Sequence, residues 1–132
     1  MKKYAIDLWE RARRSLATAR SDMSVGDADA SASRAYYAAF YAVSALFALE
    51  GKSFKKHSAV DAAVHRDLVR TGRWPAELGA DYRALLDLRY VGDYGGGDHV
   101  TDEQSRDAIT HASAVIAAVK AACPGLDADR PQ

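Results

Sequence analysis

Arg89, Asp93 and Tyr94, in the stretch LRYVGDYGGG, are the residues whose types and spacing best suit chemistry. Positions i and i+4 share one face of a helix, so Arg89 and Asp93 can pair there, although the reverse order of charges would be the stronger one. A guanidinium at a cleft mouth can hold a phosphate through two parallel N–H donors, and a neighbouring phenol can stack or donate. Spacing alone is met more simply by a salt bridge closing a helix end, with Tyr94 packed over it.

A second group lies in SASRAYYAAFYAVSALFALEG, Ser31 to Gly51, where a nearly all-apolar helix carries Arg34 and a run of tyrosines. At 100° per residue, Tyr36, Phe40, Val43 and Phe47 share one large apolar face. Arg34, Tyr37, Ala38, Tyr41, Ala45 and Ala48 fall roughly opposite. A helix apolar all round must be covered on both sides, so the small-residue face invites another helix of this chain or of a second copy. Tyr and Arg suit interfaces, each joining apolar area to a polar tip. Arg34 needs an acidic or hydroxyl partner, because an unpaired buried charge is costly.

Other chemistries find little support. Glu10, Glu50, Glu77 and Glu103 each lack a His three residues on, so the Glu-x-x-His pattern of di-metal bundles fails. His57, Asp61 and His65 fall on one helical face, but two imidazoles eight residues apart chelate poorly, and a solvated face is expected. The triple glycine has no following Lys-Ser/Thr and so makes no phosphate loop. Cys123 has no His near it in sequence and reads as packing. No metal or other cofactor is expected.

The elements that must position these residues read as five helices and no strand. Tyr4, Leu8, Ala12, Leu16, Ala19 and Met23 form a helical stripe. Asp27 or Asp29 can cap the second helix, which Gly51 ends. A basic loop, KSFKKHS, leads to a helix near His57 to Arg70, and Pro75 opens a fourth over roughly Ala76 to Val91. Thr101 with Gln104 three residues on is a capping-box pattern for the fifth, whose apolar face is Ile109, Ala112, Val115 or Ile116, and Val119. Residues 1–123 form one helical domain and 124–132 a frayed tail.

The chain of 132 residues is long enough for one hydrophobic core. Its formal charge is zero, yet residues 1–70 carry 12 Lys+Arg against 8 Asp+Glu, and residues 71–132 carry 6 against 10. A local basic surface from Lys2, Lys3, Arg11, Arg13, Arg14, Lys52, Lys55 and Lys56 is therefore available, although on charge alone a solvated face on the first helix plus a basic loop is the favoured reading. One cysteine excludes an internal disulfide framework and points to the cytoplasm. No apolar signal core follows the basic N-terminus, and the run Ala35 to Leu49 is too short for a membrane span.

SRAYYAAFYAVSALF, then KKHSAV, LRYVGDY and VTDEQSRDAITHASAVI, in that order, resemble the HEPN family (higher eukaryotes and prokaryotes nucleotide-binding), in particular its short stand-alone prokaryotic members. The resemblance covers nearly the whole chain, to about Ala122. It implies an antiparallel all-α bundle that commonly forms a homodimer, with a polar cleft near the dimer interface, and often a nucleotidyltransferase partner in a toxin–antitoxin pair. Active toxins of the family are metal-independent ribonucleases with an Arg followed, after four to six residues, by His. Here the Arg is Arg89, and the His positions hold Tyr94, Gly95 and Gly96. The chain resembles instead the branch with Arg, a short gap, then Asp-Tyr.

That departure bears on mechanism. Attack by a 2′-hydroxyl needs a base titrating near neutrality, which His supplies. A phenol, ordinarily titrating at about 10, serves poorly. The reading is therefore a module binding RNA, a nucleotide or a nucleotidyltransferase through a cleft containing Arg34, Tyr37, Tyr41, His57, Arg89, Asp93 and Tyr94. The alternatives are a rewired ribonuclease using Arg89 with His57 or His99, and a purely structural dimeric module. Some family members are neutralised by nucleotidyl transfer onto a tyrosine near the motif, which here points to Tyr94.

Overall fold

A computed structural model of the chain describes residues 2–128. Helix α1, Lys2–Ser24, and helix α2, Ala28–Leu49, form a hairpin, followed by α3, His57–Ala63, a π-helical continuation, Val64–Val69, then α4, Ala76–Tyr94, α5, Asp102–Ala122, and a short α6, Gly125–Ala128. The described residues contain no strand, and the all-α helical bundle expected from the sequence is the observed architecture.

Helix α2 is the centre. It packs against α1, α4 and α5, and Tyr36, Ala38, Ala39, Ala42, Val43, Ala45 and Phe47 are each 0% exposed. Its alanine face is thus consumed within the chain, where small side chains let neighbouring helices approach, and it is not left open for a second copy. Asp27 caps α2, accepting from the Ala30 N–H at 3.1 Å. At the other end Gly51, at φ +77°, lets the chain reverse. There Gly51 N–H donates to Ala48 O and Lys52 N–H to Phe47 O, the paired bonds of a Schellman stop.

The α1 stripe differs from the expected one. Ala5, Leu8, Trp9, Ala12, Leu16 and Ala19 face the core, whereas Tyr4 is 58% exposed. The reason is Trp9, whose large ring fixes the rotation of α1 and whose indole N–H reaches Asp127 Oδ1 at 2.8 Å. That contact also corrects the expectation of a frayed tail for part of its length. Leu126 is buried, and Asp127 also accepts from Arg13 and Lys120. The Trp9 hydrogen bond, with Lys120 and Arg13 behind it, holds the Asp127 carboxyl below its usual range. Residues 129–132, the remainder of the expected tail, lie outside the described residues.

Helix α4 runs three residues beyond the expected Val91. Gly92 permits this: a Cβ there would sit 2.7 Å from the backbone oxygen of Asp29, so only glycine lets the end of α4 press against the start of α2. Asp29 then holds the following loop, accepting from the Val100 N–H at 2.8 Å and from His99 Nδ1 at 2.7 Å. The Val100 bond, followed by that of His99, lowers the Asp29 pKa. The Thr101–Gln104 capping box forms as read, and α5 buries Val115 in preference to Ile116. Among the described residues no helix is long and apolar enough to cross a membrane.

Candidate nucleic-acid or nucleotide site

Tyr36 and Tyr37 are consecutive on α2, so their side chains diverge by about 100°. Their rings stand 5.1 Å apart at 73° and make a V that faces α4. The Arg89 guanidinium lies in that V, with its carbon 5.4 Å from each ring centroid. The Tyr94 ring, further along α4, also lies near the guanidinium, its centroid 5.7 Å away. All three rings are within the range in which a cation gains from the π face.

Two of the Arg89 donors are occupied. Nε donates to Asp93 Oδ2 at 3.1 Å, the i, i+4 pair read from the sequence. Nη2 donates to the Tyr37 hydroxyl at 3.0 Å. Nη1 has no partner among the described residues. Burial opposes the charge on Arg89, but Tyr37 and Asp93 outweigh it, and the guanidinium titrates above its ordinary value. It is a fixed cation.

Behind the V lies a polar cluster. Asp61 of α3 accepts from Tyr36 OH at 2.9 and 3.0 Å and from Tyr82 OH at 2.7 Å. Burial, reinforced by the negative Asp61, pushes both phenols well up, so they stay protonated and donate. Asp61 therefore does not belong to a solvated face, as its spacing with His57 and His65 had suggested. Two buried phenols from α2 and α4 need an acceptor, and Asp61 is turned inward to supply it. Beyond Ala63 the backbone is π-helical, with Arg70 N–H bonded to His65 O, so the i+8 arithmetic for His65 does not hold.

The remaining expected site residues fall around this core. Arg34 is half-buried with its guanidinium 4.8 Å over the Tyr37 ring. Its partner is that π face, and it has no acidic partner among the described residues. Tyr41 lies one turn on, 6.1 Å from Tyr37. His57 packs its ring 4.5 Å from Phe40 and 5.7 Å from Tyr37. Arg89 and His57 thus flank the same tyrosine. His99 is tied instead to Asp29. Tyr36, Asp61 and Tyr82 were missed as a unit. A buried phenol requires a hydrogen-bond partner, and that requirement was the available signal.

The HEPN domain family matches residues 5–122. The chain belongs to the HEPN domain family. Similar proteins include a UPF0332 protein of Thermotoga maritima, 38% identical and covering 90% of this chain and 91% of its own. Another is a UPF0332 protein of Gloeobacter violaceus, 36% identical over 82% and 86%. The crystal structure of TT1696 from Thermus thermophilus superposes with a TM-score of 0.78 at 23% identity, over 92% of this chain and 98% of that one. That likeness establishes the shared HEPN fold. Membership in the family supports a role connected with nucleotides or RNA, or as an interaction module.

Proposed function

We propose that this HEPN domain binds RNA or a nucleotide by seating a phosphate on Arg89. The observation that carries the reading is the state of that guanidinium. Its side chain is only 20% exposed, it is held from two directions by Tyr37 and Asp93, and Nη1 is left for an incoming acceptor. An arginine already fixed in place loses little freedom when a ligand arrives. Arg34, also over the Tyr37 ring, adds a second cation with no carboxylate partner among the described residues.

Binding to a labelled, unstructured oligoribonucleotide tests this. Arg89→Ala should weaken binding about 10-fold or more, the scale of a lost charge-assisted hydrogen bond. Arg89→Lys should recover only part, since an ammonium lacks the planar fork. Folded wild-type protein that binds neither RNA nor ATP would overturn the reading. The same mixtures in EDTA address cleavage. RNA should remain intact, because Tyr94 stands where family nucleases place His. Cleavage that is lost in both Arg89→Ala and His57→Ala would replace binding by a rewired ribonuclease.

A homodimer belongs to the same proposal, through a face other than the alanines of α2. Tyr90 and Tyr94 are 64% and 62% exposed, with ring centroids 5.5 Å apart, and exposed paired aromatics suit an interface. A nucleotidyltransferase partner in a toxin–antitoxin setting is proposed on family grounds, with the accessible Tyr94 hydroxyl as its acceptor. Added phosphate beside Arg89 would neutralise and fill the site.

A further inference from the structure

Two hollows lie side by side on the surface shared by α1 and α2. One, of about 330 Å³, is lined by Arg11, Arg14, Ser15, Thr18, Arg34 and Tyr41. The other, of about 300 Å³, reaches to the α2–α3 loop, shares Arg11 and Tyr41 with the first, and adds Lys55 and Lys56. No carboxylate lines either one. Several other cations, Lys52 of the second hollow among them, are neutralised at short range: Arg13 and Lys120 on Asp127, Arg66 on Asp67, Arg73 on Glu50, Arg83 on Asp87, and Lys52 by Glu50 and Asp67, whereas Lys3, Arg20, Arg70 and Arg106 have no ion pair among the described residues. Arg11, Arg14, Arg34, Lys55 and Lys56 make no ion pair among the described residues. In a chain of zero formal charge, this is a local field, left unneutralised along one line.

The line is not charge alone. Arg34 lies over Tyr37, and Arg11 lies over Tyr41 at 5.9 Å. Tyr37 in turn receives the Arg89 hydrogen bond. Cations and aromatic rings therefore alternate from Arg89 through Tyr37, Arg34, Tyr41 and Arg11 to the lysines of the loop. A mononucleotide could use one end of such a row, and the remaining cations would stay unneutralised. A second copy related by a two-fold axis would set Arg11 and Arg14 against themselves. An acidic protein segment would satisfy the charges but has no planar groups for the rings. A duplex carries phosphates but hides its base faces.

We infer that the ligand is a single-stranded polynucleotide laid along this row, its phosphates on successive cations and an unpaired base against Tyr41. The inference rests on the Arg89 reading for one end of the track and adds several nucleotides to it.

The test compares ATP, a trinucleotide and an unstructured RNA of about a dozen nucleotides, titrated over a range of salt. The proteins are wild type, Arg11→Ala, Arg14→Ala and Arg89→Ala, with Arg106→Ala on α5 as a control. Both α1 arginines are exposed, so their loss leaves the core alone. The longer RNA should bind at least about 10-fold tighter than ATP or the trinucleotide. Each α1 variant should weaken it several-fold and reduce its logarithmic salt slope by about 0.7, the value for one single-strand phosphate, with ATP unchanged. Arg89→Ala should weaken every probe, and Arg106→Ala none. Equal affinity for ATP and the longer RNA, with Arg11→Ala and Arg14→Ala silent, overturns the track and leaves the Arg89 site standing. Sensitivity to the α1 variants without sensitivity to Arg89→Ala supports the track and removes the Arg89 reading. Polyglutamate of similar length binding as tightly, through the same arginines, overturns the inference in favour of an acidic protein partner. A duplex that binds as well as the single strand overturns it too.

Discussion

The Tyr37 hydroxyl accepts a 3.0 Å hydrogen bond from Arg89, a residue 52 positions later in the chain. This one bond joins the central helix to α4, and with the Asp93 pair it fixes which way the guanidinium points.

Tyr37→Phe keeps the ring and removes that bond. The hydrogen bond contributes about 0.5–1.5 kcal/mol to stability, so the thermal midpoint should fall by about a few degrees, and RNA affinity should fall as the guanidinium loses its orientation. An unchanged affinity would show that Arg89 orients itself without Tyr37.

Asp61 is the acceptor for two phenols, of which Tyr36 is 0% and Tyr82 1% exposed. Asp61→Ala strands both, at about 1–3 kcal/mol for each buried group left unsatisfied, and the urea midpoint should fall accordingly. Asp61→Asn keeps an acceptor and should lose less. If Asp61→Ala unfolds like the wild type, the cluster contributes no net stability.

Gly92→Ala should destabilise, against the usual trend. Alanine at a helix interior normally gains about 1 kcal/mol over glycine, but here its Cβ meets the Asp29 carbonyl oxygen at 2.7 Å, and backbone cannot step aside as a side chain can. Overpacking costs about 1–3 kcal/mol. A higher thermal midpoint in the variant would mean that α4 and α2 do not touch there.

Asp29 gives a pH dependence of known sign. Its folded pKa lies below the unfolded value of 3.8. The stabilisation is therefore present above 3.8 and is lost as pH falls from there through the folded value. Urea midpoints measured from about pH 7 down to about pH 3 should drop more steeply for wild type than for Asp29→Asn. Parallel curves would assign the acid loss to other carboxylates, Asp127 foremost.

Sedimentation should give about twice the chain mass of 14.3 kDa. Tyr90→Asp should shift it toward that single mass. A wild-type monomer at micromolar concentration would remove the proposed dimer.

The fold was legible because its signals are local. Asp27, Gly51 and the Thr101–Gln104 box act within a turn of the residues they cap, and Arg89–Asp93 is an i, i+4 pair. What escaped is long-range. Asp61 meets Tyr36 and Tyr82 across 25 and 21 residues, and nothing within α3 distinguishes an inward carboxylate from a solvated one. Arg34 was expected to find an oxygen and found a ring, because sequence does not say which groups a fold brings over a side chain. The alanine face of α2 is the same case. Small residues announce a close neighbour, but not whether that neighbour belongs to the same molecule.

The π-helical segment Val64–Val69 has a consequence for comparing relatives. A wider turn accommodates a residue more than an α-helical path of the same span, with Leu68 still turned into the core and Trp74 N–H still reaching Leu68 O. A relative that crosses the same space on a regular helix needs one residue fewer. Alignments built on helix length alone would then slip by one from Val64 onward and pair inward positions with outward ones. The gap belongs inside the helix, not in the loop that follows it.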